Sequence, residues 1–117
     1  MDTKEIDKIV ESQRIYFRSG ATLSVDNRIA ALKKLRNTII KYEKEIGDAL
    51  NADLGKSDFE GFMCETGMAL SEISYMIRHT RAFASERRVR SPLAQFASRS
   101  YKKPCPYGNT LIMSPWN

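Results

Sequence analysis

The chain has 117 residues, of which 42% are hydrophobic and 28% are charged, and its formal net charge at pH 7 is +5. This length allows one domain or part of one, and the hydrophobic content is ordinary for a globular protein. A charged stretch follows Met1, with no apolar segment of a secretory signal, and no apolar run approaches the length that spans a membrane. We therefore expect a cytoplasmic protein without a membrane partner.

Basic residues are concentrated between positions 78 and 103. This segment has eight lysines and arginines against one acid, Glu86, whereas the rest of the chain has eleven basic and thirteen acidic residues. Such a segment in a basic chain is compatible with nucleic-acid binding. We favour a solvated surface that complements an acidic partner, including a further part of the same protein, because the arginines show no aromatic stacking platform.

A first helix is predicted over Thr3–Arg18. Asp2 or Thr3 can cap its N-terminus, and Glu5 lies favourably in its first turn. One face carries residues three or four positions apart: Ile6, Ile9, Val10, Gln13 and Phe17. Ser19 and Gly20 then end the helix.

Two further helical patterns follow. Ser24 caps the second helix, which we predict to run unbroken to Gly55, because its apolar residues recur every three or four positions: Ile29, Leu32, Leu35, Ile39, Tyr42, Ile46 and Leu50. Ser57 and Glu60 have the spacing of a capping box, which predicts the start of a third helix that ends near Arg88. Its apolar face is predicted to carry Phe59, Phe62, Met63, Thr66, Ala69 or Leu70, Ile73, Met76 or Ile77, Thr80 and Phe83.

The end of the chain has a different character. Residues 89–97 are predicted to form an irregular crossing segment, and residues 98–103 a strand, after which two prolines predict a turn or a sheet edge. A Gly108-Asn109 turn signal then opens the apolar run Thr110–Met113, which we predict to be a buried strand ending at Ser114. The predicted fold class is therefore mostly α with a short C-terminal β portion.

Side chains that commonly carry chemistry are few. Cys64 and Cys105 make neither a disulfide framework nor a metal-ligand set, so we expect no metal site. Cys64 is expected to be buried beside Met63, and no base is placed to activate either thiol, so neither cysteine is expected to be catalytic. His79 is expected to be a surface or packing residue.

The last twelve residues carry the most specific motif. They read Pro-Tyr-Gly-Asn-Thr-Leu-Ile-Met-Ser-Pro-Trp-Asn, which resembles the segment P-x-G-x-x-L-x-x-x-P-W-N of the aldehyde dehydrogenase superfamily. Upstream, Asp53-Leu54-Gly55-Lys56 resembles a helix–helix junction of the class 3-like branch, whose N-terminus is similarly short. The resemblance extends from about Leu23 to Asn117, and it implies an N-terminal fragment of a much longer enzyme.

The resemblance also implies an organisation. Residues 1–97 would form the N-terminal helical layer of the cofactor-binding domain, residues 98–106 an oligomerisation strand, and residues 107–117 the opening strand of the nucleotide-binding sheet with the start of the active-site motif. The complete protein would be a homodimer. Both strands would find their partners in later sequence, so we expect the isolated chain to be poorly soluble or only partly ordered.

The implied chemistry is the oxidation of an aldehyde to a carboxylic acid, with NAD or NADP as cofactor and a thiohemiacetal on a cysteine as intermediate. Asn117 is implied as an oxyanion donor through its side-chain amide. Four residues are implied to line the nicotinamide side of the cofactor cleft, at the carboxyl end of a strand: Met113, Ser114, Pro115 and Trp116. For Trp116 a simple core position remains the alternative. The nucleophile and the general base would lie further along, so the chain alone is expected to be inactive.

Two other interpretations stay open at this stage. One is a small basic helical module that binds nucleic acid through residues 78–103, with binding that weakens steeply as salt rises. The other is a truncated relative that assembles with a complete enzyme.

Overall fold

A computed structural model describes residues 2–114 of the chain. Most of this part is helical, and one short antiparallel pair of strands lies in its last third. The chain divides into two compact units: one contains residues 25–83, and the other contains the first helix and the segment from Ala84 onward. In the described range no helix is long and apolar enough to cross a bilayer.

Helix α1 spans Thr3–Arg18, as predicted. The backbone N–H of Asp2 donates to the Glu5 carboxylate at 3.1 Å, which satisfies an amide that helix geometry leaves without a partner. At the other end the Ser19 hydroxyl donates to the Tyr16 carbonyl at 2.6 Å, and Gly20 follows with a φ of 78°. The glycine tolerates this left-handed backbone, so the local sequence alone sets both ends of the helix.

The predicted second helix is two helices, α2 (Val25–Lys41) and α3 (Glu43–Leu54). Tyr42 separates them with φ −103° and ψ 17°, outside the helical region. The prediction of one unbroken helix is wrong because the apolar period continues across Tyr42, so periodicity alone does not show the break. The predicted end at Gly55 is confirmed: its φ is 66°, and its N–H donates to the Asn51 carbonyl at 2.8 Å.

The third helical region starts at the predicted capping box. The Ser57 N–H donates to the Glu60 carboxylate at 3.0 Å, and the Glu60 N–H donates to the Ser57 hydroxyl oxygen at 3.3 Å. Three segments follow in sequence: α4 (Asp58–Gly61), a π-helical turn (Phe62–Thr66) and α5 (Gly67–Ala84). The region therefore ends at Ala84 rather than near Arg88.

Several residues at the π turn are more exposed than the sequence predicts. It adds one residue to the turn, so side chains before it and after it do not continue one helical face. Phe59, Phe62 and Met63 are 73%, 45% and 53% exposed, although periodicity predicted them on the packed face. Cys64, in the same turn, is exposed as well, so its predicted burial is also wrong.

Polar contacts hold α2 against α5 within the unit of residues 25–83. The Arg36 guanidinium donates from Nε to the Ser74 hydroxyl at 3.1 Å, and that hydroxyl donates to the Leu70 carbonyl at 2.7 Å. Nearer the end of α5, Arg81 forms an ion pair with Asp26. This second pair is exposed, and exposed ion pairs contribute little to stability, so the partly buried Arg36 contact is the more specific one.

The strands are β1 (Arg87–Val89) and β2 (Ser100–Lys102), paired antiparallel with Arg88 opposite Tyr101. The strand predicted over residues 98–103 is confirmed in a shorter form. Its partner is β1, a segment of this chain predicted as helix end and irregular chain, and not a strand from later sequence. Tyr101 lies opposite Arg88, so an aromatic residue does neighbour an arginine of the basic segment, contrary to the sequence prediction.

The strand predicted over residues 110–114 is not present. This segment has no strand assignment, and its three large apolar side chains, Leu111, Ile112 and Met113, are each more than 80% exposed. An apolar run with β-propensity becomes a strand only when a neighbouring backbone supplies hydrogen-bond partners. The described residues supply none here, so burial and strand formation are both wrong for this chain as it stands.

Candidate functional site

The predicted site residues lie at and beyond the end of the described range. Met113 and Ser114 are described, and both are exposed. Pro115, Trp116 and Asn117 lie outside the described residues. What the structure defines is therefore the segment that leads into the Pro-Trp-Asn motif, residues 104–114, which we call the lead-in segment.

Gly108 marks a sharp change of direction in the lead-in segment. Its φ is 107°, a conformation that residues with a Cβ rarely adopt. A Cβ built on Gly108 would lie 4.0 Å from Cε1 of Phe17, so the Phe17 ring of α1 lies next to this glycine. The glycine of the sequence motif is thus explained by backbone geometry.

Asn109, the next residue, attaches the lead-in segment to α1 by hydrogen bonds. Its side-chain Nδ2 donates to the Val10 carbonyl at 3.1 Å and approaches the Gln13 side-chain oxygen at 3.5 Å. Val10, Gln13 and Phe17 all belong to the stripe that periodicity predicted on α1. Sequence reasoning interpreted Asn109 only as a turn residue, and no local signal names a partner 99 positions away.

The two cysteines and His79 make local contacts in the described residues. Both cysteines are free and exposed, and Cys105 Sγ lies 3.8 Å from the Lys103 carbonyl oxygen. The His79 ring stacks on Tyr75, with 4.0 Å between ring centroids, and its Nδ1 lies 2.8 Å from the Tyr75 carbonyl oxygen. A carbonyl only accepts, so Nδ1 carries the hydrogen, and these contacts agree with the surface or packing position predicted for His79.

An open cleft of about 540 Å³ lies within the unit of residues 25–83. Lys44 and Asp48 on its rim form an ion pair of 2.7 Å, and the hydrogen bond to Asp48 raises the pKa of Lys44. Elsewhere, hydrogen bonds to Glu65 and Glu86 raise the pKa of Lys56 and Lys103. These lysines are held in their charged form, so none of them is set up as a base at neutral pH.

No group of three or more His, Cys, Asp or Glu side chains within residues 2–114 could hold a metal ion. The lead-in segment is attached to α1 through the Asn109 side chain. That attachment places the start of the motif on the first helix of the chain.

The chain belongs to the aldehyde dehydrogenase family, whose sequence profile matches residues 1–117. It is 33% identical over 112 residues to the 4,4'-diaponeurosporen-aldehyde dehydrogenase of Staphylococcus aureus, covering 96% of this chain and 24% of that protein. It is 32% identical to aldehyde dehydrogenase family 3 member A2 of Rattus norvegicus, covering 96% of this chain and 23% of the relative. The resemblance to the class 3-like branch is thereby confirmed.

A solved structure supports the fold assignment. The substrate-bound state of Staphylococcus aureus AldH superposes with a TM-score of 0.79 at 30% sequence identity, over 88% of this chain and 22% of that one. The mostly helical architecture with a short β portion is thus that of an aldehyde dehydrogenase N-terminal region. The chain spans about a quarter of the length of the curated relatives it matches.

Proposed function

We propose that this chain is the N-terminal part of an NAD(P)-dependent aldehyde dehydrogenase that oxidises aldehydes to carboxylic acids through a thiohemiacetal on a cysteine. The observation that carries the proposal is the motif of residues 106–117, on a chain that matches the family over its whole length. The relatives named above are aldehyde dehydrogenases, which supports the same reaction class here.

In this proposal Asn117 stabilises the negative charge that develops on the aldehyde oxygen when the thiolate attacks. A side-chain amide suits this task because it donates a hydrogen bond without having a proton that it can lose at neutral pH. The backbone N–H of the attacking cysteine would be the second donor. Preorganised donors of this kind act mainly on the transition state, so they raise kcat rather than substrate affinity.

The cofactor would be held by Met113 and Ser114 together with Pro115 and Trp116. In support of this role, the Met113 side chain is apolar and 84% exposed, and an apolar surface suits contact with a nicotinamide ring. When bound, NAD or NADP supplies the acceptor for the hydride that leaves the aldehyde carbon. For Trp116 a purely structural position remains the alternative role.

The remaining parts of the proposal concern the complete enzyme. Residues 1–97 form its N-terminal helical layer, residues 98–106 take part in oligomerisation, and residues 107–117 open the nucleotide-binding sheet. We propose a cytoplasmic homodimer. The nucleophile and the base belong to the part beyond Asn117, so residues 1–117 alone are inactive.

The test is to assay the complete enzyme with short and long aldehydes and either NAD or NADP, following the absorbance of the reduced cofactor. Replacing the donor in Asn117→Ala is expected to lower kcat by about 10²–10³-fold. The matched control, Asn37→Ala, lies on the exposed surface of α2 and should keep wild-type rates. A wild-type enzyme that reduces neither cofactor with any aldehyde, or an unchanged Asn117→Ala variant, contradicts the proposal.

A further inference from the structure

We propose that Asn109 is a positioning residue for the aldehyde dehydrogenase reaction, because it fastens the start of the active-site motif to α1. This inference rests on the function proposed above. It assigns a role to a residue outside the motif's Pro-Trp-Asn end. Asn109 touches neither substrate nor cofactor in this role, and it acts through the placement of Asn117.

The attachment uses the amide nitrogen of the Asn109 side chain. This Nδ2 is a two-hydrogen donor, and it faces two oxygens of α1, the Val10 carbonyl at 3.1 Å and the Gln13 side-chain oxygen at 3.5 Å. Val10 and Gln13 lie one helical turn apart on α1, so the contact defines both a position and a direction. Gly108, with its φ of 107°, turns the backbone so that the side chain reaches the helix.

The rest of the lead-in segment depends on this attachment. Residues 109–114 have no helix or strand assignment, and the side chains of residues 111–113 are exposed. Hydrogen bonds at Asn109 therefore determine where the segment begins and which way it leaves α1. In the complete enzyme, a strand partner would position the residues that follow Asn109, while the Asn109 attachment would still set where they begin.

The chemical consequence follows from the sensitivity of reacting groups to distance. A misplacement of about 1 Å caused by a remote change can lower a rate by about 10²-fold. If the donor at Asn117 shifts, the loss falls on the transition state, where the oxyanion exists, and hardly on the bound aldehyde. The expected signature is a lower kcat with an aldehyde KM close to that of the wild type.

Asn109→Asp tests this because it keeps the side-chain shape and removes both N–H donors. Its carboxylate would face two oxygen acceptors, so the attachment should break. We expect kcat of the complete enzyme to fall by about 10-fold or more, within the range that misplacement produces. Adding Gln13→Lys supplies a new donor to the carboxylate, so the double variant should recover most of the lost kcat. Gln13→Lys alone removes one of the two oxygens that accept from Asn109, so its kcat should lie between those of the wild type and Asn109→Asp.

Asn37→Asp on α2 makes the same chemical change at an exposed helix position and serves as the matched control. Melting temperatures of all variants separate a folding defect from a kinetic one. The inference is overturned if Asn109→Asp keeps wild-type kcat, or if Gln13→Lys restores nothing while the folded fraction is unchanged. A wild-type enzyme without aldehyde oxidation instead overturns the proposed function itself, which keeps the two failures distinguishable.

Discussion

Replacing Gly67 with alanine tests the π turn between α4 and α5. The Gly67 N–H donates to the Phe62 carbonyl, and this bond closes the turn. A Cβ at Gly67 would lie 2.6 Å from the same carbonyl oxygen, and 3.2 Å from Cε1 of the Phe62 ring. Ordinary contact begins at 3.4 Å, so the backbone would have to open by about 0.8 Å.

The expected cost can be worked out with a second glycine as reference. Forcing extra volume into a packed site costs about 1–3 kcal/mol, whereas alanine in a helix interior gains about 1 kcal/mol over glycine. A methyl group added at Gly47 in α3 would meet nothing within 4 Å, so Gly47→Ala should show the gain alone. Because both variants share the propensity gain, their difference in free energy of unfolding isolates the clash at about 1–3 kcal/mol.

The assay is thermal unfolding of the complete enzyme and both variants side by side, followed by circular dichroism. Gly67→Ala should melt below Gly47→Ala, and its helical signal should be reduced before the main transition. A Gly67→Ala variant at least as stable as Gly47→Ala would refute the reasoning, since it would mean that the turn opens without cost.

Two further predictions concern the capping box and the basic hairpin. Hydrogen bonds from the Ser57 N–H and hydroxyl lower the pKa of Glu60 from its ordinary value of 4.5, so the stabilisation is present above pH 4.5 and is lost as the pH falls through the lower folded-state pKa. An NMR titration that finds the Glu60 carboxyl titrating at or above its ordinary value in the folded protein would contradict this. For the hairpin, where Arg88 lies opposite Tyr101, we expect no salt-sensitive binding of a short DNA duplex by fluorescence anisotropy at micromolar protein. Binding that weakens steeply between two salt concentrations would revive the nucleic-acid interpretation.

The parts of this fold that the sequence predicts correctly are those with local causes. The bounds of α1, the stop at Gly55 and the capping box of Ser57 and Glu60 each depend on residues within one helical turn. Capping side chains and the backbone freedom of glycine act over that distance, so all the residues involved lie close together in the sequence and the helix ends can be predicted from it. The family resemblance has the same character, because it rests on a contiguous motif of residues 106–117.

Features with distant or subtle causes were missed. The apolar period continues across the break at Tyr42, so periodicity cannot show it. The π turn before Gly67 shifts the register by a single residue, which a pattern of apolar residues every three or four positions does not resolve. Strands β1 and β2 pair although residues 90–99 separate them in the chain. In addition, β1 is too short and too basic to be recognised as a strand from the sequence. The run of residues 110–114 has strand propensity but finds no partner backbone in the described chain.

The same distinction between local and distant causes applies to the candidate site. The family, the motif and the residues proposed to act on the aldehyde and cofactor can be recognised from the sequence, because they are properties of residue types at fixed spacing. The three-dimensional structure is needed to see that Gly108 lies against Phe17 and that Asn109 donates to Val10, 99 positions away in the chain. Hydrogen bonds between distant segments depend on how the whole chain is arranged in space, and no spacing rule encodes them.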